Sequence, residues 1–339
     1  MTTGLHAAVR RIAEAGTLTS EETAEAFGII MRGEATPALI GALLMGLRAR
    51  GETADEVAGA AQALRDAMVT VRPSAGPPVV DTCGTGGGGV STFNVSTAAG
   101  FVTAAAGARV AKHGNRSYTS KCGSADVLEA LGVDIMLGPE QAPAALDQAG
   151  MVFLFAPNYH PAMRHVGPAR KELGVPTIMN LLGPLANPAG VQRQVIGVAD
   201  PARAPLMAEA LLRLGAEHAL VVHGEIGMDE ISPAGPTAVW EVRDGTVTTW
   251  GLNPGDYGLE WTEVEELAGG MPAENAARIE RLLEGMADES ARRAVLLNAA
   301  AGIYVAGLAM SYAEAVELAE VALHSGAAAR VLARLRGQK

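Results

Sequence analysis

Cysteine and aromatic residues are scarce in this sequence of 339 residues. The two cysteines, Cys83 and Cys122, have neither the spacing of zinc ligands nor the number needed for a disulfide framework, so both are interpreted as small buried residues beside glycine-rich turns. Aromatic residues make up only 4% of the chain, whereas 41 residues are glycine. This excess of small residues favours closely packed helices and tight turns around a ligand, and it is equally typical of a biased coding composition.

Positive charge is also in short supply, since the formal net charge is -11. There is no basic tail or run of lysine and arginine, with which general nucleic-acid binders neutralise phosphates. The most apolar stretch, 98–108, contains glycine and is shorter than the roughly 20 residues that span a bilayer. The N-terminal residues lack the apolar region of a signal peptide. These absences predict a cytoplasmic enzyme that binds neither nucleic acid nor a membrane.

The N-terminal part of the chain has the sequence features of helices alone. Thr19 begins a capping-box pattern, and apolar residues follow it at helical spacing. Thr36 precedes a second predicted helix, which ends at Gly51, the usual C-terminal glycine. Thr53 begins a third, which is expected to continue to about Val69. We therefore predict a small helical module.

The turn-rich segment 72–78 ends this module and is interpreted as a hinge. Beyond it, short apolar strands alternate with helical stretches, which favours a mostly parallel sheet with helices on its faces. A hairpin turn at Asp244 and Gly245 and a return to helix complete the pattern. The predicted strands are 79–82, 108–111, 133–136, 152–155, 195–198 and 220–222, and the hairpin pairs 237–242 with 246–250.

A strand followed by a glycine-rich turn is the strongest chemical signal. Residues 79–89 have the sequence VVDTCGTGGGG, and residues 94–97 begin an alanine-rich helix. Consecutive glycines let backbone N–H groups converge on an anion, and a helix N-terminus adds partial positive charge. The spacing matches neither a P-loop nor a Rossmann fingerprint. Taken alone, such a turn is structural about as often as it binds a ligand.

The segment 112–121, KHGNRSYTSK, places three positive charges after the second predicted strand. No acidic residue follows it before Asp126. In open α/β sheets, ligands bind outside the carboxyl ends of the strands, where this segment and the glycine-rich turn are both expected. An exposed basic loop is the ordinary interpretation of the segment alone. Two anion-binding loops at one edge of a sheet instead predict a doubly phosphorylated substrate.

Together these segments resemble the anthranilate phosphoribosyltransferase family. The blocks GTGG, FNVST and KHGNRSYTSKCGSADVLEALG are followed in family order by FLFAPNYHPAMRHVGPARKELG, NLLGPLANPAG and VVHGEIGMDEIS, over nearly the whole chain. The resemblance implies transfer of the phosphoribosyl group of phosphoribosyl pyrophosphate (PRPP) to the amine of anthranilate, with release of pyrophosphate, in tryptophan biosynthesis. It also implies a Mg²⁺ requirement and a homodimer formed through the helical module.

The resemblance implies an α/β fold like that of nucleoside phosphorylases, in which a small all-helical domain is hinged to a larger α/β domain with a mostly parallel central sheet. The helical domain is expected to comprise residues 1–73 and a returning segment near 160–186. The PRPP-binding α/β domain is expected to comprise residues 78–159 and 187–339. The active site is expected in the cleft between the two domains.

The resemblance further implies roles for individual residues. Transition-state stabilisation falls to Lys112 and Asn115. The residues that match magnesium positions are Ser96, Asp229 and Glu230, and those that match anthranilate positions are Gly84, Asn115 and Arg170. The residues that match PRPP positions are Gly84, Gly87, Gly88, Thr92, Asn94, Val95, Ser96, Thr97, Lys112, His113, Gly114, Asn115, Arg116, Ser117, Tyr118, Thr119, Ser120 and Ser124.

The chemistry suits these residue types. Displacement of pyrophosphate from an anomeric carbon passes through a transition state with oxocarbenium character, so the departing negative charge has to be stabilised. The aromatic amine of anthranilate has a free lone pair at neutral pH, so little base catalysis is needed, and His113 and His160 are only secondary candidates for proton transfer. The guanidinium of Arg170 suits a carboxylate, with Arg164 and His165 as second choices.

One position departs from the family pattern, because Gly88 stands where the family usually has aspartate. The change removes a carboxylate from the loop nearest the pyrophosphate and the metal. A catalytically weakened transferase is therefore a rival interpretation. A pyrimidine nucleoside phosphorylase and a nucleic-acid-binding relative of the same fold stay open as well, although the net charge of -11 argues against the latter.

Overall fold

The computed structural model of the chain describes residues 3–86, 88–90, 92–117, 120–259, 262–286 and 288–337. Three residues expected to bind PRPP, Gly87, Tyr118 and Thr119, lie outside this described part. Within it, no helix is both long enough and apolar enough to cross a membrane.

The N-terminal part is helical, as predicted. Thr19 and Glu22 form the expected capping box, with Oγ1 of Thr19 accepting from the Glu22 N–H at 3.2 Å and Oε2 of Glu22 accepting from the Thr19 N–H at 2.9 Å. Gly51 ends the third helix at a φ of 92°, a value that favours glycine. The fourth helix ends earlier than predicted, at Asp66. The four helices are α1 (Thr3–Ala13), α2 (Ser20–Met31), α3 (Pro37–Arg50) and α4 (Ala54–Asp66).

Strands and helices alternate beyond α4, and the last part of the chain returns to helix, as predicted. Short 3₁₀ helices at Pro161–His165, Pro201–Arg203, Pro254–Tyr257 and Val264–Leu267 connect some of these elements. In chain order the elements are β1 (Val79–Gly84), α5 (Val95–Ala105), β2 (Arg109–Gly114), α6 (Ser124–Ala130), α7 (Ala142–Ala149), β3 (Met151–Phe155), α8 (Ala156–Tyr159), α9 (Gly167–Leu173), α10 (Met179–Leu185), β4 (Arg193–Gly197), α11 (Ala204–Arg213), β5 (His218–Gly224), β6 (Thr237–Arg243), β7 (Thr246–Leu252), α12 (Pro272–Leu283), α13 (Glu289–Ala306), α14 (Tyr312–His324) and α15 (Ala327–Arg336).

The strands form one seven-stranded sheet in the order β3-β2-β1-β4-β5-β6-β7. Strands β1 to β5 pair in parallel, and β6 and β7 are antiparallel. This confirms the predicted α/β fold with a mostly parallel sheet. The predicted hairpin is also present, and its turn residues Asp244 and Gly245 have φ values of 51° and 74°. Positive φ at both positions is the geometry of the type I′ two-residue hairpin turn.

The strand predicted at 133–136 is wrong, since this segment pairs with no strand in the described part of the sheet. Leu131, Val133 and Ile135 are nevertheless buried in one apolar cluster, and Leu137 is buried in another. The alternation of apolar residues therefore reflects burial between two clusters and not pairing with a neighbouring strand.

Apolar clusters cover both faces of the sheet. One cluster packs α5, α6 and α12–α15 on one face. A second combines α1–α4, α9, α10 and α11 with side chains of β4, β5 and β6 on the other face, and a third lies beneath α7. The segment predicted to return to the helical module, 160–186, thus packs with α1–α4. Of the two cysteines, Cys122 is buried and Cys83 half-buried.

Candidate active site

Strands β1, β2 and β5 end in glycine at the same edge of the sheet, at Gly84, Gly114 and Gly224. The loop after β5 folds back over this edge. A Cβ on Gly84 would lie 2.8 Å from Oδ2 of Asp229, and one on Gly197 would lie 1.6 Å from the Asp229 carbonyl oxygen. Because no larger residue fits at Gly197, glycine there allows the loop to lie directly on the ends of the strands.

The loop presents two adjacent carboxylates at this edge. The Gly86 N–H donates to Oδ2 of Asp229 at 2.9 Å. Oγ1 of Thr92 donates to Oε2 of Glu230 at 2.7 Å, and the N–H of Ser96 donates to Oε1 at 3.3 Å. The structure therefore brings together Ser96, Asp229 and Glu230, the three residues predicted for magnesium.

The electrostatics of this group fit a divalent cation. Burial, followed by the neighbouring Asp229 carboxylate, raises the pKa of Glu230 to about 8. Burial also raises the pKa of Asp229. Mg²⁺ commonly binds through one or two carboxylates, water and substrate phosphates. Within the described ranges no group of three or more His, Cys, Asp or Glu residues is arranged to hold a metal.

Lys112 is not on an exposed loop, because it lies within β2 and is 1% exposed. The basic segment predicted to follow the strand thus begins inside it. Nζ of Lys112 donates to the carbonyl of Thr82 and, at 3.2 Å, to Oγ of Ser96. Burial lowers the pKa of Lys112. Its ammonium group nevertheless reaches the Ser96 hydroxyl beside the carboxylate pair, and its role in charge stabilisation stays a prediction.

The described residues of the loop before α6, 115–117 and 120–123, are held by α6. Arg116 pairs with Asp126 at 3.0 Å and with Glu129 at 2.8 Å. Oδ2 of Asp126 accepts from the N–H of Ser117 at 3.0 Å. Further hydrogen bonds join Ser117 Oγ to the Ser120 carbonyl at 2.6 Å and Ser124 Oγ to the Asn115 carbonyl at 3.3 Å. Two carboxylates thus compensate the charge of Arg116, and its contact with PRPP stays a prediction.

The N-terminus of α5 lies beside the carboxylate pair. The side chains of Asn94, Val95 and Thr97 there have different surroundings. Nδ2 of Asn94 donates to the Cys122 carbonyl at 3.2 Å, and its Oδ1 accepts from Nδ2 of Asn275 at 3.0 Å. Val95 and Thr97 are buried. Their predicted contacts with PRPP therefore depend on backbone groups more than on side chains.

Two histidines form a buried pair at the end of β2. The Nε2 atoms of His113 and His160 lie 3.2 Å apart, and the ring centroids 5.0 Å apart. Burial lowers the pKa of His113 to about 3 and that of His160 to about 4. Both rings are therefore neutral at physiological pH, and whether either one transfers a proton stays a prediction.

Sequence reasoning missed a buried polar network beneath this edge. Asp81 on β1 is fully buried, and its carboxylate accepts from the His113 N–H at 3.2 Å and from Nδ2 of Asn187 at 2.8 Å. Nδ2 of Asn187 also donates to the Ala111 carbonyl at 2.8 Å. Asn187 lies in the NLLGPLANPAG block, so this part of the family resemblance has a structural reason. The hydrogen bonds of Asn187 hold β1 and β2 together beside Lys112.

Arg170, predicted to bind anthranilate, lies on α9, which packs against α3 on the helical side. Ala169 is buried in the cluster that contains α1–α4. Gly84 and Asn115, the other predicted anthranilate residues, lie at the edge of the sheet. A ligand that contacts all three therefore has to lie between the sheet edge and the returning helical segment.

Comparison with known protein families shows that a chain with this helical module and this sheet is a glycosyltransferase. Residues 6–68 match the family "Glycosyl transferase family, helical bundle domain", and residues 76–329 match "Glycosyl transferase family, a/b domain". Within this class, the chain belongs to the anthranilate phosphoribosyltransferase family. It is 49% identical over 327 residues to the anthranilate phosphoribosyltransferase of Rhodopseudomonas palustris, covering 96% of each chain.

Solved structures agree with this assignment. The chain is similar to anthranilate phosphoribosyltransferase from Thermus thermophilus, with a TM-score of 0.92, 46% identity and 98% of each chain covered. It is also similar to the Saccharomyces cerevisiae enzyme in complex with PRPP and Mg, with a TM-score of 0.91, 30% identity and coverage of 100% of this chain and 98% of that one. The predicted family and fold are confirmed.

Proposed function

We propose that this chain catalyses transfer of the phosphoribosyl group of PRPP to the amine of anthranilate, a step of tryptophan biosynthesis. The observation that carries the proposal is the meeting of the glycine-rich turn, Lys112 and the pair Asp229 and Glu230 at one edge of the sheet. Membership of the anthranilate phosphoribosyltransferase family supports it.

In this reaction the bond from C1 of the ribose to the pyrophosphate oxygen breaks, and a bond from C1 to the anthranilate nitrogen forms. The nitrogen then loses a proton, and pyrophosphate leaves. Backbone N–H groups of the glycine-rich turn and the N-terminus of α5 bind the phosphates. Lys112 and Asn115 stabilise the negative charge that develops as pyrophosphate departs. The fork of Arg170 orients anthranilate through its carboxylate.

Ser96, Asp229 and Glu230 are the residues that would hold Mg²⁺. When bound there, the ion would supply positive charge to the pyrophosphate oxygens. The yeast relative in complex with PRPP and Mg supports this requirement. The donor set of this chain is compatible with it, because two carboxylates and the hydroxyl of Ser96 supply the oxygen ligands that Mg²⁺ prefers.

Four further properties belong to the proposal. The enzyme acts in the cytoplasm as a homodimer formed through the helical module, where Met45 of α3 leaves apolar surface exposed. It has no nucleic-acid partner, since a net charge of -11 opposes phosphate binding over a general surface. Its domain division follows the boundaries expected from the sequence.

The test is a steady-state assay of phosphoribosylanthranilate formation across a magnesium series. The variant Asp229→Asn/Glu230→Gln keeps the size of both side chains and removes both charges. We expect its activity to fall and the Mg²⁺ concentration for half-maximal activity to rise. The change Glu225→Gln, at an exposed position of the same loop, provides the matched control and should leave both quantities unchanged.

A wild-type magnesium dependence in the double variant would show that the carboxylates are only a structural feature of the loop. Phosphorolysis of thymidine or uridine, measured in parallel, addresses the nucleoside phosphorylase alternative. Turnover of either nucleoside in the absence of anthranilate transfer would overturn the proposed function.

A further inference from the structure

A buried amide on α13 holds the loop that carries the two carboxylates. Asn298 is 6% exposed. Its Nδ2 donates to the carbonyl of Ile231 at 2.8 Å and to that of Ala294 at 2.9 Å, and its Oδ1 accepts from the N–H of Ile231 at 3.0 Å. Both amide hydrogens and the amide oxygen are therefore used, and two of the three bonds go to the backbone of Ile231, one to its N–H and one to its carbonyl.

These bonds fix the residue next to the carboxylate pair. The side chain of Ile231 is fully buried in the cluster that contains α13, so the loop is anchored through both its backbone and its side chain. Ile231 directly follows Glu230, and a displacement at Ile231 is passed to that carboxylate through one peptide bond. The anchor lies in an 18-residue helix that packs against α5 and β1, the elements that carry Ser96 and Gly84.

Asn298 also borders the site itself. A small cavity is lined by Asn298 together with Ser96, Asp229 and Glu230, while Thr82 and Gly197 form part of its wall. The amide thus sets one wall of the space between the hydroxyl and the carboxylates. If the amide of Asn298 only held the loop in place, it would not need to line that cavity.

We propose that Asn298 is a positioning residue, which sets the placement of Asp229 and Glu230 relative to Ser96 and thereby the affinity of the site for a divalent cation with pyrophosphate. The proposal rests on the function proposed above. It differs from a purely structural role in one respect. In a folded variant, loss of the amide should weaken metal and PRPP binding more than anthranilate binding.

The principal variant is Asn298→Leu, which removes the amide and keeps a similar volume. Asn298→Ser removes the amide, adds no charge to the cavity, and serves where the leucine variant does not fold. The matched control is Thr103→Val, because Oγ1 of Thr103 on α5 donates to the carbonyl of Ala299, the residue next to Asn298, at 3.2 Å. This control loosens the same turn of α13 from another side.

Two measurements are needed. The first is binding of Mn²⁺ in the presence of PRPP and without anthranilate, followed by the Mn²⁺ paramagnetic resonance signal, since Mn²⁺ suits the same oxygen ligands as Mg²⁺. The second is steady-state kinetics with both substrates. We expect Asn298→Leu to weaken Mn²⁺ binding and raise KM for PRPP, each by on the order of tenfold, the scale of one weakened interaction with a charged group. KM for anthranilate should stay close to the wild-type value, because the amide holds the carboxylate loop and not the residues predicted for anthranilate.

The outcomes separate this inference from the proposed function. Wild-type Mn²⁺ binding in folded Asn298 variants, together with weakened binding in Asp229→Asn/Glu230→Gln, overturns the role of Asn298 and leaves the metal site intact. Wild-type binding in the double variant overturns the metal site and this inference with it. An equal loss in Thr103→Val overturns the inference too, because the effect would then come from general loosening of α13.

Discussion

At the scale of single residues, Gly88 determines how much negative charge the site presents. A Cβ at this position would lie 3.1 Å from the Gly227 carbonyl oxygen and 3.5 Å from Oδ1 of Asp229. An aspartate would therefore add a third carboxylate beside the other two. We predict that Gly88→Asp lowers KM for PRPP and makes Mg²⁺ inhibitory at about 10 mM, because a further carboxylate binds the cation more tightly.

The control for this prediction is Gly88→Asn, which has the same shape and no charge. Steady-state kinetics from micromolar to about 10 mM Mg²⁺ would compare the three forms. An asparagine variant that reproduces the aspartate kinetics would show that bulk against Gly227, and not charge, is responsible. Superimposed curves for all three forms would remove position 88 from metal handling.

Arg170 is the residue whose role depends most on the placement of α9. If its guanidinium holds the anthranilate carboxylate, Arg170→Ala should raise KM for anthranilate far more than KM for PRPP. Loss of a charge-assisted hydrogen bond typically costs about 1.5–3 kcal/mol, which corresponds to roughly tenfold to over a hundredfold in binding. The exposed neighbour Lys171 provides the control Lys171→Ala. An unchanged anthranilate KM in a folded Arg170 variant would contradict the assignment.

At the scale of elements, the pair His113 and His160 connects β2 to the segment that leads into the helical side. Both pKa values lie below the ordinary value of 6.5, at about 3 and about 4. Between about pH 4 and 6.5 the unfolded chain therefore binds protons that the folded chain does not. The contribution of the pair to the free energy of unfolding has its full value above pH 6.5 and is lost as the pH falls toward 4.

We predict that each histidine contributes a slope of up to about 1.4 kcal/mol per pH unit to the free energy of unfolding in this range. His160→Gln should reduce the slope by roughly one proton, since it removes one of the two groups. Urea unfolding at several pH values measures it, with exposed His324→Gln as the control. A wild-type slope in the His160 variant would show that protonation of the pair does not oppose folding.

Local sequence signals predicted most of the elements. The capping box at Thr19 and the glycine that ends α3 act within a few residues, so a single sequence shows them. The hairpin was likewise predicted correctly, as were five of the six strands predicted outside it. Segment 133–136 was wrong because alternating burial does not require a neighbouring strand. The burial of Lys112 was not predicted, because the number of charged residues in a segment does not show which face of a strand is covered by other elements.

The site was predictable in part, for a similar reason. The glycine-rich turn was predicted from its own sequence pattern and the carboxylates from the family resemblance, whereas Asp81, Asn187 and Asn298 were not predicted. The partners of Asn187 lie 76 and 106 residues away, and Ile231 lies 67 residues from Asn298. A buried amide has no local sequence pattern that distinguishes it from an exposed one. Such residues become visible only when the fold brings their partners together.

At the scale of the whole molecule, the helical module and the sheet share one apolar core. The cluster that contains α1–α4 continues into α11 and into one face of β4, β5 and β6. A buried ion pair also joins the helical module to the part of the chain that contains the sheet. Nη1 of Arg203 lies 3.0 Å from Oε2 of Glu52, and the side chain of Glu52 is 3% exposed. Burial raises the pKa of Glu52. The two parts are therefore expected to unfold together, despite the hinge predicted at 72–78.

Trp240 and Trp250, on β6 and β7, report on the sheet by fluorescence, while far-ultraviolet circular dichroism reports mainly on the helices. We predict that the two urea unfolding curves coincide for the wild type, as a single cooperative transition requires. Arg203→Ala should lower the free energy of unfolding by about 3 kcal/mol, since it leaves the Glu52 carboxylate buried without its partner. Both curves should therefore shift together to lower urea. Replacing both residues, as Glu52→Gln/Arg203→Met, should recover most of this loss because no unpaired charge remains. A helical transition that precedes the fluorescence transition, in the wild type or in Arg203→Ala, would instead mean that the helical module unfolds independently and that the shared core does not couple it to the sheet.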